Sequence, residues 1–507
     1  MKDKLRNKKY QILQIGIMLL LGVLFYICAG DRWVSLEDDS QFYLKLTRQE
    51  GVMPIYPIFL FLLRITFREE VYLNIAVFIQ SVLAIVCTMI FSLFLQKRFY
   101  LKSWEDILIF LACMLPFSIY LPESGITHQI MTEGIAYPLF YIYFLFLLKY
   151  VIDEKVKWCV ITLAMAALLS LIRSQLMLLL IVTMLVFCIK GITNSAGKTR
   201  YKKIKKFAIR AVVSAVTILS LIVVINKAQS VLSVYNLTYL FPDEWDRIIA
   251  IDNQKGDSVS EQEKQNYERN EELNTIIRRN NSNNGKTSQF VSLLAIRGLY
   301  EADATDVELF QNEETKELFK RSFQAIDEKK YRYVYARRGL YMWKDLVCDK
   351  IPNEIYEQYL GYLQDNPTST LEYASTLFEM GWKTLIHHFD RYLYHTMRLM
   401  ISGFISSIFF QIEKIYFFCH LITLGLYLSA IIGVVICYRE KGNKNVIAFM
   451  STILLFLILM VIIINGVFLG LQRYMVYGMG IFYCAYYLLI REVYFLITKR
   501  KHSDSLL

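Results

Sequence analysis

Long apolar stretches, separated by short polar or charged segments, recur along almost the whole chain. A helix needs about 20 apolar residues to cross the hydrocarbon core of a bilayer, and several stretches approach or reach that length. The pattern predicts an all-α polytopic membrane protein with about ten transmembrane helices. We place them near residues 11–30, 71–95, 107–121, 134–150, 158–172, 176–190, 207–226, 415–438, 446–469 and 474–490.

Two apolar stretches carry an arginine that changes their interpretation. The stretch from Pro54 to Phe67 contains Arg64 and is too short to span comfortably, so it predicts a helix lying in the outer interface. The stretch from Trp158 to Lys190 would place Arg173 near mid-membrane if it formed one helix, which is costly. We therefore expect two short helices that turn at Arg173 on the outer side.

One long segment, 227–413, is charged and polar. Spacing such as Leu371, Ala374, Leu377 and Phe378 favours helices, and no run alternates as strands do. The predicted organisation is an N-terminal transmembrane module (1–226) with a first outer loop (31–70), a large, mostly helical extracytoplasmic loop domain (227–413) and C-terminal transmembrane helices (414–507).

Basic residues occur mainly in the short segments between apolar stretches. The chain is 55% hydrophobic with a net charge of +11. The placement of the basic residues follows the positive-inside rule and indicates contact with membrane lipids, not with nucleic acid. It places both termini in the cytoplasm of a multi-pass plasma (cytoplasmic) membrane protein. No convincing cleavage site follows the first apolar stretch, which favours a retained helix over a signal peptide.

This topology places five charged side chains at helix ends on the extracytoplasmic face: Asp38, Asp39, Glu133, Arg173 and Arg473. A carboxylate can accept a proton from an attacking hydroxyl, and an arginine fork matches a phosphate. The alternatives are a solvated acidic loop at Asp38, a helix cap at Glu133, and arginines that snorkel to the interface.

Other residue patterns identify no further chemistry. The nine cysteines contain no C-x-x-C pair, which argues against a disulfide framework or a zinc site. His387, Arg391 and His395 have the spacing of one helix face, and two histidines eight positions apart are too distant to share a metal. They favour an interfacial or acceptor-contacting helix. The chain has no P-loop and no G-x-S-x-G motif.

The order of several short motifs resembles a known group. They are Asp38-Asp39-Ser40-Gln41-Phe42-Tyr43, Tyr56-Pro57-Ile58-Phe59-Leu60, Thr132-Glu133-Gly134, Leu171-Ile172-Arg173 and Gln472-Arg473-Tyr474. Together they resemble the GT-C superfamily of membrane glycosyltransferases, most closely its protein mannosyltransferase and aminoarabinose-transferase-like branch. The similarity covers about the first 190 residues and the last 40, but not the large loop. The family's acidic pair is often Asp-Glu, whereas three acids run together here, which leaves open whether Asp38 or Asp39 is the base.

The resemblance implies an enzyme, a GT-C-like architecture and a polyprenyl-phosphate-linked sugar donor. The acceptor would be an extracytoplasmic glycan, lipid or protein, and transfer would invert the anomeric centre. Asp38 or Asp39 would be the catalytic base. The substrate would contact Tyr43, Glu133, Arg173, Arg473 and Tyr474. No cofactor is required, although a divalent cation, Mg²⁺ or Mn²⁺, is compatible with the acidic pair.

Two other functions fit parts of the same pattern. A polymerase or ligase of lipid-linked glycans would use a similar outer site with a diphosphate donor and more arginines. A transporter or flippase of lipid-linked sugars would carry inverted repeats and charges near mid-membrane. The sequence contains no convincing repeat, and its charges lie at predicted helix ends.

Overall fold

The computed structural model describes residues 2–28, 34–36, 40–44, 53–118, 125–193, 200–232, 296–329, 350–409, 416–467 and 476–504. Within these ranges no strand forms beyond an isolated parallel bridge between Ser35 and Gln129. The helices in chain order are α1 (Lys2–Cys28), α2 (Ser40–Leu44), α3 (Ile55–Thr66), α4 (Tyr72–Phe99), α5 (Ser103–Ser118), α6 (Glu133–Asp153), α7 (Val156–Ile172), α8 (Leu178–Thr193), α9 (Arg200–Val231), α10 (Glu313–Glu328), α11 (Ile351–Asp365), α12 (Tyr373–His387), α13 (Phe389–Ser406), α14 (Tyr416–Arg439), α15 (Lys444–Val467) and α16 (Met479–Asp504).

The all-α polytopic prediction is confirmed for the described part of the chain. Eight segments there are long and apolar enough to cross a membrane; they lie in α1, α4, α6, α8, α9, α14, α15 and α16. The two other predicted crossings are also helical but shorter, with 16 residues in α5 and 17 in α7. The chain is therefore a multi-pass membrane protein by helix length and composition.

The predicted turn at Arg173 and the predicted short helix between Pro54 and Phe67 are both present in the structure. Helix α7 ends at Ile172, Arg173 is extended (φ −151°, ψ 122°), and a short 3₁₀ turn at Ser174–Met177 precedes α8. After Pro54, the short helix α3 ends at Thr66. Arg64 of α3 donates to Glu69 through Nε (2.8 Å to Oε2) and Nη2 (2.5 Å to Oε1), so its buried guanidinium is neutralised by a bidentate pair.

The chain divides into two compact units. The transmembrane unit comprises Met1–Pro242, Ile405–Met460 and Val476–Leu507, and the inserted unit comprises Asp243–Phe404 and Val461–Met475. In the transmembrane unit, α4 packs against α5 and α6, α6 packs against α7, and α8 packs against α9. Helix α9 continues to Val231, beyond the predicted end of its span at Asn226.

The C-terminal helix packs against α5 within the transmembrane unit. The Sγ atoms of Cys113 (α5) and Cys484 (α16) are 3.4 Å apart, and both side chains are buried. Further along the same contact, Tyr487 donates to Glu105 (2.7 Å) and Arg491 donates to the carbonyl of Phe99 (3.0 Å). Residues almost four hundred positions apart therefore form one helix-packing contact.

The inserted unit contains helices around its own apolar core, in agreement with the predicted helical loop. This core joins residues of the 296–310 segment with α10, α11 and α12, and includes Leu318, Tyr359 and Met380. Of the residues whose spacing predicted helices, Leu377 is buried in α12 and Leu371 is buried just before it, whereas Phe378 is exposed. The 3.6-residue pattern thus identified the helix but not all of its buried face.

Cross-linking tests the packing of α16 against α5. Oxidation of membranes with a membrane-permeant catalyst should join Cys113 to Cys484, because thiols this close can form a disulfide with little backbone movement. Mass spectrometry would detect the linked peptides. Cys484→Ser should abolish them, and a cross-link from Cys113 to Cys437 instead would contradict this packing.

Candidate functional site

The structure describes three of the seven predicted site residues. Tyr43, Glu133 and Arg173 all lie in the transmembrane unit. Asp38, Asp39, Arg473 and Tyr474 lie outside the described residues, and their roles stay predictions. The site can therefore be built from the segments that surround Glu133 and Arg173.

Glu133 and Arg173 form a buried ion pair. The contact joins Oε2 of Glu133, at the start of α6, to Nη1 of Arg173, which follows α7. Both residues are almost fully buried, with 2% and 9% exposure. Arg173 also donates to Thr132 Oγ1 (2.8 Å) and, through Nε, to Gln175 (3.0 Å). The break between α7 and α8 places this guanidinium where the carboxylate and hydroxyl can neutralise and satisfy it.

Thr132 does not cap α6. The N-terminal residue before Glu133 has helical dihedral angles and makes no side-chain capping bond. Its hydroxyl donates to Glu133 Oε2 (3.0 Å) and accepts from Arg173. The Thr132 hydroxyl is therefore part of the charge pair and not of a helix cap, and the Glu133 carboxylate at the N-terminus of α6 also suits the helix dipole.

The first predicted outer loop is hydrogen-bonded to the segment before α6. The amide of Ser35 donates to the carbonyl of His128 (2.9 Å), and the amide of Ile130 donates to the carbonyl of Ser35 (3.1 Å). The His128 ring, itself buried, makes an edge contact with Tyr26 of α1 at 4.8 Å. His128 thus has a packing role.

Gln80, in the first third of apolar α4, connects these segments. Its amide nitrogen donates to the carbonyls of Thr127 (2.9 Å) and Gln129 (3.0 Å), and its oxygen accepts from Tyr56 of α3 (2.8 Å). Gln80 is completely buried. One side chain therefore satisfies two loop carbonyls and fixes α3 against them.

Tyr43 reaches the same neighbourhood through Tyr56. Their rings meet edge to face with centroids 5.2 Å apart, and Tyr43 remains partly exposed. Burial, reinforced by the negative charges that Tyr43 and Glu133 can carry, raises the pKa of Tyr56 well above its ordinary value. The Tyr56 phenol is thus held neutral and donates its proton to Gln80.

Gly134 explains the third position of the Thr-Glu-Gly motif. A Cβ atom there would lie 2.5 Å from the carboxamide carbon of Gln80, which is closer than packing allows. Sequence reasoning selected Glu133 and Arg173 but missed Gln80 as their neighbour. Its signal was an uncharged amide inside an apolar stretch, which needs an internal partner in a membrane.

In the inserted unit, one group among the described residues has ligand atoms close enough to be considered for a metal ion. Atoms of Asp306, His387 and His388 all lie within 4.8 Å of one another. Their contacts are already explained by hydrogen bonding: Asp306 accepts from His388 Nε2 (2.8 Å) and from the amide of Asp303 (2.6 Å). Asp306 thus caps a 3₁₀ helix and anchors α12, and the geometry requires no ion.

The predicted common face of His387, Arg391 and His395 does not exist as one helical surface. Helix α12 ends at His387 and α13 starts at Phe389, and His388 between them has φ −109° and ψ 40°. A single helix through this stretch was therefore wrong. The bend lets His388 turn inward to Asp306 while His387 stays exposed.

No protein-family model, characterised protein or solved structure matches the chain.

The buried pair should be strongly coupled in stability. Arg173→Met or Glu133→Gln alone leaves one buried charge without its counter-ion and should cost about 3–5 kcal/mol, whereas the double variant should recover part of that loss. Thermal unfolding of the detergent-solubilised protein would give the four midpoints. As a matched control, the partly exposed pair Arg98–Asp153 (2.9 Å) should show coupling below about 1 kcal/mol. Additive effects of Glu133→Gln and Arg173→Met would refute the pairing.

The contact of Gly134 with Gln80 makes a second stability prediction. Gly134→Ala should lower the unfolding midpoint by forcing the Gln80 carboxamide out of its hydrogen bonds. Gly425→Ala in α14 is the matched control, because a Cβ there meets no atom within 4 Å. Its midpoint should stay the same or rise. Equal effects of the two substitutions would contradict the close approach.

Proposed function

We propose that the chain is a membrane glycosyltransferase that moves a sugar from a polyprenyl-phosphate donor to an extracytoplasmic glycan, lipid or protein, with inversion. The proposal rests on the sequence motifs and on one structural observation. The buried Glu133–Arg173 pair, with Gln80, joins the segments that carry three of the motifs. They are the segments around Tyr56, Thr132-Glu133-Gly134 and Arg173.

Described residues on both sides of the acidic motif contact the same neighbourhood. Ser35, three positions before Asp38, is hydrogen-bonded to His128 and Ile130. Ser40, one position after Asp39, begins α2, and Tyr43 of α2 contacts Tyr56. These anchors support a role for Asp38 and Asp39 near the start of α6.

The chemistry we propose is direct displacement at the anomeric carbon. The acceptor oxygen forms a bond to that carbon while the bond from carbon to the phosphate oxygen breaks. The hydroxyl proton passes to the carboxylate of Asp38 or Asp39, and polyprenyl phosphate leaves with the bonding electron pair. The leaving phosphate needs cationic stabilisation and no protonating acid.

The two predicted arginines take different roles in this proposal. Arg173 already uses its Nη1 and Nε groups on Glu133, Thr132 and Gln175. It would therefore position the α6 terminus, and any contact it makes with the donor would be secondary. Arg473, with Tyr474, would bind the phosphate. A lipid-linked donor arrives from within the membrane, so this site must lie at its surface.

Charge placement favours transfer over transport. A flippase of lipid-linked sugars is expected to carry charges near mid-membrane. Glu133 is the first residue of α6, and Arg173 lies between α7 and α8. Both charges thus occupy helix ends, as a site at the membrane surface requires.

A transfer assay tests the proposal. Purified protein in lipid vesicles would receive polyprenyl-phosphate sugars and an envelope glycan or peptide acceptor. One of the two variants, Asp38→Asn or Asp39→Asn, removes the catalytic base, and that variant should lower kcat by about 10²–10⁴-fold. Arg473→Ala should also lower transfer. A chelator arm would determine whether Mg²⁺ or Mn²⁺ is needed.

Asp153→Asn provides the matched control, since this acid pairs with Arg98 at the opposite end of α6 from Glu133 and should leave kcat unchanged. Full transfer by Asp38→Asn, Asp39→Asn and Arg473→Ala would reject the assigned site. Product formed only from diphosphate donors would indicate a polymerase or ligase. Donor movement across the bilayer without product would indicate a flippase.

A further inference from the structure

Helices α12 and α13 of the inserted unit have two faces with different environments. The inner face packs into the unit's apolar core through Leu377, Met380 and Leu399. Each of these side chains is at most 8% exposed. This face attaches the two helices to the core of the inserted unit.

Polar contacts reinforce that attachment. Arg297, which is 2% exposed, donates to Thr396 of α13 (2.6 Å), and His395 pairs with Glu301. At the junction of the helices, His388 binds Asp306 (2.8 Å). These contacts fix the rotation of both helices and therefore determine which side chains point outward.

The outward side chains are unusually apolar. Exposed side chains recur every three or four positions along both helices, with exposures from 36% to 61%. We call this set the outer stripe: Phe378, Trp382, Ile386, Phe389, Leu393, Tyr394, Met397 and Ile401. A water-facing surface with this many adjacent large apolar groups is rare and indicates a contact surface.

Several features identify a lipid bilayer as the occupant. Helix α13 ends at Ser406, and the candidate membrane span in α14 begins at Phe417, so the stripe lies close in sequence to a membrane segment. The lipid-facing residues of α14 have similar exposures, 51% for Leu428 and 57% for Ile432. Trp382 and Tyr394 are residue types that favour the interface.

The charges next to the stripe also fit a lipid surface. Arg398 is exposed, and its guanidinium carbon lies 5.8 Å from the ring centroid of Tyr394. An arginine beside an aromatic ring at a membrane interface can bury its stem and reach anionic headgroups. A partner protein would also cover an apolar stripe, but nothing in these contacts selects one over the adjacent membrane.

We propose that the outer stripe of α12 and α13 lies at the boundary between headgroups and acyl chains of the bilayer that α14 enters, and so holds the inserted unit on the membrane surface. This inference does not depend on the transferase chemistry. It would keep the inserted unit within reach of a lipid-anchored substrate on that surface, whatever reaction follows.

Carbene photolabelling of the full chain tests the proposal. The protein would be placed one molecule per nanodisc in phosphatidylethanolamine and phosphatidylglycerol, with an apolar diazirine dissolved in the bilayer. Peptide mass spectrometry should find Leu393, Met397 and Ile401 labelled at levels comparable with Leu428 and Ile432 of α14. The inner-face residue Leu399 should be labelled severalfold less.

A double variant, Leu393→Asn with Met397→Asn, should reduce labelling of Ile401 severalfold while α14 labelling stays unchanged, which shows that the protein remains inserted. Asp390→Asn, an exposed polar position on the same helix, is the matched control and should change nothing. An unlabelled stripe beside a labelled α14 would overturn the proposal. A second sample would contain several molecules in one vesicle. If the stripe loses its label there and Met397 cross-links between copies, the stripe is a protein interface and the proposal is also overturned.

Discussion

A charged side chain inside an apolar helix bundle must find a counter-charge, and Arg173 meets this requirement by interrupting its own helix. The break at Arg173 ends α7 and starts α8, which lets the guanidinium reach Glu133 and Thr132. Because the pair is buried, it fixes the start of α6 relative to the α7–α8 turn. The rest of the candidate site is built on this fixed point.

Hydrogen bonds of uncharged polar groups then fix the segments around the Glu133–Arg173 pair. Gln80 binds the carbonyls of the 125–132 segment and the hydroxyl of Tyr56, and that segment binds Ser35. Backbone carbonyls cannot be left unsatisfied in an apolar environment, so each contact constrains the next. Irregular backbone here is held by side chains from helices that lie far apart in sequence.

In the inserted unit, helices α12 and α13 contact two environments, the apolar core on one face and the surroundings of the unit on the other. One face of α12 and α13 closes an apolar core, and buried polar pairs with the 296–309 segment set their rotation. The opposite face is left apolar, as expected for helices at the boundary between water and lipid.

The helices of this protein could be predicted from hydrophobic length and period, because a bilayer permits few backbone arrangements other than helices. The same reasoning anticipated the turn at Arg173, because an arginine is too costly to leave in a continuous span. It also anticipated the short helix α3, because that apolar stretch is too short to cross. Which side chains meet could not be read from the pattern. Gln80 with Tyr56, Cys113 with Cys484, and His388 with Asp306 are separated by tens to hundreds of positions, and no local period records such contacts. Only packing in three dimensions decided that Arg173 binds Glu133 and that α12 and α13 turn an apolar face outward, because both depend on the rotation of one helix against another.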